Sequence, residues 1–452
     1  MHCDPRFSRV REVFERHFTD GEELGAAFAV YLDGELVVDL WGGVADRHTG
    51  RPWRRDTPAF AYSCTKAITA TVLLQLAERG LVDVSAPVAE VWPEFAAEGK
   101  AAITVEHLLT HEAGLPVVED PVPVEEFGDH PAIAARLARQ RPLWEPGSAH
   151  GYHALTYGFL IGEVVRRVTG KSVGELVAAE IAGPLGLDLW IGAPDAVISR
   201  AARITAGDRR SPAAGEDQAV TGDTGADATG TDRAETRRSG PEDAFATGTD
   251  RTWTDRSGAE DAFATGTDRT GTDRSGAEDA FATGTDRSGA EDAFARMARD
   301  ARDPHSLMNR ALGNPGMQRL KGGANHPAIL RAGWPGAGVV TTAAALAGFY
   351  RSLLAGDVLR PETLTGALRA RVSGPDRVLH VDSSFGLGYM RPSMTFFVPS
   401  RTAFGHTGLG GFLGLGDPGH GLAVGYVTNR MADAASGGLR AYRLTEAVYR
   451  SL

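Results

Sequence analysis

The chain has 452 residues, 42% of them hydrophobic and 23% charged, the balance of a globular protein with a real core and room for two or three domains or one large two-part enzyme. A formal net charge of −11 excludes a basic nucleic-acid footprint, and most of that acidity is local: residues 207–296 hold 20 acidic residues against 11 arginines, leaving 38 acidic and 36 basic residues elsewhere. Two cysteines, no apolar leader in residues 1–15 and no apolar run long enough to cross a bilayer point to a cytoplasmic protein without a membrane anchor.

In chain order, residues 7–18 carry helical spacing with a charged outer face, and Cys3 lies before them in what reads as a frayed N-terminus. Residues 26–32 and 35–41 are strand-like and joined by Asp33–Gly34, a strong hairpin signal. From 65 to 79 the residues Ile68, Val72, Leu73, Leu76 and Ala77 fall at helical spacing, ending at Gly80. Cys64 stands where this helix should begin, so a disulfide to Cys3 is not expected. Further helices are predicted over 105–110, 155–168 (stopped by Gly170) and 173–181, then strands over 385–390, 395–398, 411–415 and 422–428, and a closing helix over 439–449. Strands at both ends with helices between imply one sheet built from the two termini, with an inserted helical domain. Residues 1–62 would start an α/β domain, 63–205 form the helical domain, and 296–452 complete the α/β domain.

Residues 206–295 break this pattern. The run from Ser257 to Arg269 recurs from Ser275 to Arg287, starts again at Ser288 and has a related copy from Ser239. The copies contain no Leu, Ile, Met or Val and are unevenly spaced, so they can neither fill a core nor stack as a solenoid. A disordered insertion outside the chemistry is the expectation.

Three runs carry chemistry. In Ala61-Tyr-Ser-Cys-Thr-Lys66, Ser63 and Lys66 are three apart at a helix start, so both side chains lie on one face. A serine hydroxyl needs a base to take its proton, and a lysine serves if burial brings its pKa down. Alone, the spacing is equally that of a helix-capping serine. Tyr152, in Gly151-Tyr-His-Ala-Leu-Thr-Tyr157, stands before an apolar helix, able to relay a proton or simply to pack there. Phe404-Gly-His-Thr-Gly-Leu-Gly-Gly411 reads as a glycine-rich strand edge whose N–H groups can approach a ligand, or as a plain hairpin.

Together, in this order, the runs resemble the serine β-lactamase, penicillin-binding-protein and related esterase superfamily, with its S-x-x-K, tyrosine and K-T-G or H-T-G motifs. Leu108-Leu-Thr-His-Glu-Ala-Gly-Leu115 and Phe385-Gly-Leu-Gly-Tyr389 add to the likeness, which covers the chain apart from the repeats. The resemblance implies a β-lactamase-like fold, a mainly antiparallel sheet flanked by helices. It implies Ser63 as nucleophile, Lys66 as base, Tyr152 as the second-motif tyrosine, His406, Thr407 and Gly408 as the third motif, and the N–H groups of Ser63 and Leu409 as oxyanion hole. Two departures point towards the family VIII carboxylesterases: Ala154 stands where an asparagine is usual, and His406 replaces the lysine that would hold a substrate carboxylate. The expected activity is cleavage of small carboxylic esters through an acyl-enzyme, without metal or organic cofactor and without nucleic-acid or membrane partners. An acyltransferase, a β-lactamase or D-alanyl peptidase, and a catalytically silent binding protein are the alternatives. Trp334 is a candidate wall of the acyl pocket, or a structural tryptophan.

Three decoys fall away on context. Gly170-Lys-Ser-Val-Gly174 spells a nucleophile elbow, but a helix rather than a strand precedes it, which makes Ser172 a helix cap. Gly414-Leu-Gly-Asp-Pro-Gly419 precedes a strand and is a turn. His107 and His111 sit four apart without a third zinc ligand and read as polar residues at a helix end.

Overall fold

The computed structural model describes residues 1–206, 287–432 and 437–452, so the repeat segment lies outside the described residues except at its end. There a helix, Arg287–Arg302, starts on the final residue of one copy and runs on through the next, and Met297 and Ala301 on it pack against the body.

The strands in chain order are β1 His2–Cys3, β2 Gly25–Leu32, β3 Glu35–Asp46, β4 Arg51–Pro52, β5 Ala59–Phe60, β6 Leu189–Ile191, β7 Val339–Thr341, β8 Val372–Pro375, β9 Asp382–Phe385, β10 Phe404–Gly408, β11 Phe412–Asp417 and β12 Leu422–Thr428. The main sheet runs β1-β3-β2-β12-β11-β10, antiparallel throughout, with β4 beside β3. The first and last parts of the chain meet in it, because β2 pairs with β12 from Leu32 opposite Leu422 to Ala26 opposite Thr428. The expected hairpin is present: Asp33 and Gly34 take φ of 49° and 89°, the two positive values that a two-residue turn matching strand twist requires. Cys3, by contrast, is not frayed; it pairs opposite Val38, and both cysteines are free thiols.

Both faces of the sheet are covered, which is why β12 is buried along its whole length. Leu422, Val424 and Tyr426 face one core with Val10 and Phe14 of helix α1 (Ser8–Thr19) and with Leu444 and Val448 of the helix Leu439–Tyr449. Ala423 and Val427 face the other, shared with helix α2 (Thr65–Glu78) and the helix Ala343–Ala355. A buried ion pair, Arg440 to Glu23 Oε1 at 2.7 Å, ties the closing helix to the entry of β2, and Tyr426 and Thr428 also donate to that carboxylate.

Between β5 and β6 the chain is helical, with α3 Val105–Leu109, α4 His130–Arg139, α5 Thr156–Thr169 and α6 Val173–Leu176. Helix α6 passes into a π-helical turn, Val177–Ala182, where one continuous helix was expected. Two expected strands are not formed as such. Phe385 ends β9 opposite Val372, and the residues after it bend back on themselves and contribute only bridges, Phe385 to Met390 and Met390 to Gly405. Residues 395–398 likewise contribute a single bridge, Ser393 to Phe396. In the first run Gly386 and Gly388 explain the bend: Gly388 takes φ +80° and a side chain on Gly386 would strike the Ala367 carbonyl, so an apolar composition here serves packing rather than pairing.

Candidate active site

Ser63 is carried on a short 3₁₀ turn, Tyr62–Cys64, that leads directly into α2. The residue before it, Tyr62, has φ +46°, a left-handed conformation that costs an aromatic residue on the order of 1–3 kcal/mol. Its surroundings hold it there: the ring packs edge-on against Phe60 at 4.9 Å and lies 5.8 Å from Phe412, with the hydroxyl 3.4 Å from the Met431 sulfur. This strained turn lifts Ser63 clear of the helix, where it is partly exposed while its neighbours are buried. No side-chain cap bond is made at this helix start, so the serine is not there as a cap.

Lys66, one turn on, is fully buried, and its Nζ has three polar neighbours. It donates to the carbonyls of Ala154 at 2.7 Å and Gly336 at 2.8 Å, and stands 3.0 Å from Ser63 Oγ. Burial holds its pKa well below the ordinary lysine value, and among the described residues no carboxylate contact opposes it. A neutral amine has two N–H groups and one lone pair. With both N–H groups given to carbonyls, the lone pair is left for the serine hydroxyl, which is the disposition of a general base.

The two carbonyls come from distant parts of the chain. Ala154 lies in the loop before α5, and Gly336 follows Trp334 in the approach to β7. Gly336 gets close because Gly158 faces it: a side chain on Gly158 would lie 1.9 Å from the Gly336 nitrogen. Thr69 Oγ1, on the same face of α2 as Lys66, donates to Pro335 O at 2.6 Å and fixes the segment from the other side.

Tyr152 is buried, its side chain beside Ser63 and its ring 4.8 Å from Lys66 Nζ. Burial pushes its pKa up, so the phenol keeps its proton and is equipped to donate or relay one rather than to act as an anion. The ring stacks on Phe385 at an interplanar angle of 14° and lies 6.0 Å from His406.

The third motif falls on β10, whose five residues are all buried. His406 donates from Nδ1 to the Thr407 carbonyl at 2.7 Å, and burial followed by the nearby Lys66 brings its pKa down to about 3. The ring is therefore neutral, and among the described residues its Nε2 meets no hydrogen-bond partner. Thr407 turns to the opposite face, towards the Met390 sulfur at 3.6 Å, and Gly408 packs against Ala61. Leu409, just past the strand, is half-buried, and among the described residues its N–H meets no main-chain acceptor.

Other expectations change. Trp334 does not wall an open pocket: it is 1% exposed, donates to Phe127 O at 2.6 Å and packs edge-on against Phe127 and Phe159. Its part is to anchor the segment that carries Gly336. His107 closes a capping box with Thr104 at the start of α3. His111 has left that helix with φ +64°, and its ring packs against Tyr152 at 5.1 Å and Phe385 at 4.5 Å, a role its spacing did not suggest. Ser172 is the N-cap of α6, paired with Glu175 in a capping box, as its context indicated. Among the described residues no group of three or more potential metal ligands occurs, and no helix is long and apolar enough to cross a membrane.

A family model described as Beta-lactamase matches residues 10–449. Over 195 residues the chain is 44% identical to the esterase/beta-lactamase LipL of Mycobacterium tuberculosis, covering 43% of this chain and 45% of that one. The chain spans about half the length of the curated relatives it matches. Its fold follows the crystal structure of a family VIII carboxylesterase with a TM-score of 0.74 at 31% identity, covering 100% of this chain and 99% of the other. A penicillin-binding protein homolog from Caulobacter crescentus gives 0.72 at 33% identity with the same coverage.

Proposed function

Since the chain belongs to the Beta-lactamase family, we propose that it is a serine carboxylesterase that works through an acyl-enzyme on Ser63. The observation that carries the reading is the placement of Lys66: buried, with both N–H groups held by carbonyls, and 3.0 Å from Ser63 Oγ. In the proposed reaction the Ser63 oxygen attacks the ester carbonyl carbon while its proton passes to Lys66 Nζ. The oxyanion that forms is held by the N–H groups of Ser63 and Leu409. Collapse breaks the carbon–oxygen bond to the alcohol, whose oxygen receives the proton by way of Tyr152. Water, deprotonated by the regenerated amine, then attacks the acyl carbonyl and releases the acid and Ser63.

The preference for esters over β-lactams rests on His406. A substrate carboxylate needs a fixed cation, and a neutral histidine with a pKa of about 3 supplies none. The test is intact-protein mass spectrometry during incubation with a panel of activated p-nitrophenyl esters. An acyl adduct on Ser63 that turns over, absent in Ser63→Ala together with hydrolysis, is expected. Loss of this nucleophile should cost up to about a million-fold in turnover. Retention of more than a few per cent of activity by the variant overturns the assignment.

A further inference from the structure

Tyr152 has no secondary structure to hold it, because it lies in the loop between α4 and α5. Something must set its position, since its ring lies 4.8 Å from Lys66 Nζ and the proposed reaction needs its hydroxyl at Ser63. The holding group is a buried carboxylate far away in sequence. Asp376 follows β8 in the turn of the β8–β9 hairpin and is 2% exposed. Its Oδ1 accepts the main-chain N–H of Tyr152 at 3.0 Å as well as those of Val378 at 2.8 Å and Leu379 at 2.9 Å. Its Oδ2 accepts from Ser383 Oγ at 3.0 Å, and Ser383 Oγ in turn meets His150 Nε2 at 2.9 Å.

The same turn grips the loop twice more. Arg377 N donates to the His150 carbonyl at 3.1 Å, and Gly151 lies so close to Trp144, Val378 and Arg377 that a side chain there would meet all three. No cation pairs with the carboxylate in these contacts; four N–H and O–H donors satisfy it. A charge buried in this way is costly unless donors converge on it, and the donors here converge from both the hairpin and the tyrosine loop. We propose that Asp376 is the positioning residue for Tyr152: it joins the β8–β9 hairpin to residues 150–152 and thereby fixes the phenol at Ser63 without touching substrate. The inference rests on the esterase reading of the site.

The test is a double-mutant cycle on the full chain, with kcat and KM for a p-nitrophenyl ester and the thermal midpoint measured for each variant. Asp376→Ala should lower kcat on the order of 10- to 100-fold with little change in KM, as a misplaced catalytic group does. Tyr152→Phe should also lower kcat, and the double variant should fall no further than about twofold below Tyr152→Phe alone. Asp376→Asn, which keeps an acceptor oxygen for the Tyr152 N–H, should restore kcat to within about tenfold of the wild type. If the alanine variant does not fold, Asp376→Glu takes its place in the cycle, since one added methylene displaces the acceptor while keeping its charge. Multiplicative losses in the double variant, or an asparagine variant as slow as alanine, overturn the positioning role while leaving the site reading intact. A Tyr152→Phe variant with full kcat overturns both.

Discussion

Lys66 should betray its environment in the pH dependence of the reaction. Burial favours the neutral amine, which in the native protein persists well below the lysine range of about 10.4. In the proposed mechanism the neutral form accepts the Ser63 proton, so kcat/KM should rise with pH and reach its plateau before that range. The neighbours that burial shifts move away from that range. His406 titrates at about 3 and His153 at about 4, while Tyr152 and Tyr157 are pushed up by burial. Replacement by arginine is the sharp perturbation, because a guanidinium stays charged beyond a pKa of about 12 and cannot act as base. The loss should be at least about 10²- to 10⁴-fold in kcat/KM at every pH. The linkage has a definite sign too. Between the lowered native pKa and the unfolded value of about 10.4 the unfolded chain binds one more proton, so stability rises with pH across that window and is lost as pH falls through it. The slope across the window is about 1.4 kcal/mol per pH unit. Lys66→Met should flatten that slope while leaving two buried carbonyls unpaired, at about 1–3 kcal/mol each. The assay is kcat/KM for a p-nitrophenyl ester from about pH 5 to about pH 10, corrected for spontaneous hydrolysis, with thermal midpoints at each pH. An arginine variant within tenfold of the wild type, or a wild-type rate still climbing at the ordinary lysine pKa, would refute the assignment of Lys66 as base.

Three further outcomes are expected. His406→Lys places an ammonium in a fully buried strand beside Lys66, so the thermal midpoint should fall, and the ratio of nitrocefin to p-nitrophenyl ester specificity constants should move towards the β-lactam; movement the other way would show that this position does not set the substrate class. Glu23→Ala strands the Arg440 guanidinium in the core and should cost about 3–5 kcal/mol in urea unfolding, whereas a loss below about 1 kcal/mol would mean that the pair is not what ties the closing helix to β2. Replacing residues 207–286 by a flexible Gly/Ser linker of about 20 residues should preserve most esterase activity, since the repeats carry no aliphatic side chains; an insoluble or inactive product would assign them a structural part.

What could be read from the chain in advance follows from which atoms do the work. Ser63, Lys66 and Tyr152, in the proposed mechanism, use side chains whose chemistry restricts the residue type, so their spacing was visible. The carbonyls of Ala154 and Gly336 act through main-chain atoms that every residue possesses, and they reach Lys66 from 88 and 270 positions away. Composition carries no trace of them beyond the glycine at 336. Asp376 was hidden for a related reason: its contact with Tyr152 spans 224 positions and uses an N–H. Trp334 was left between two readings and His111 was misplaced, because periodicity and residue type do not say whether a large ring faces a cleft or a core. The hairpin at Asp33–Gly34 and the helix from Thr65 were legible for the opposite reason, being set by residues adjacent in sequence. The run at 385–390 marks the limit: aromatic and aliphatic residues suggest a strand, and two glycines fold it back.

The pairing of β2 with β12 also imposes an order of events on synthesis. Leu32 and its partner Leu422 are separated by about 390 positions. At about 5–20 residues per second, the ribosome takes roughly 20–80 s to deliver the second strand after the first. During that interval the β2–β3 hairpin has one edge without its native partner, and Ser63 and Lys66 are made long before Gly336, Asp376 and β10. The proposed nucleophile therefore exists as a residue well before it exists as a site. A nascent chain truncated before β12 should be devoid of esterase activity and prone to association through that open edge, and both conditions end when Leu422–Thr428 closes the sheet.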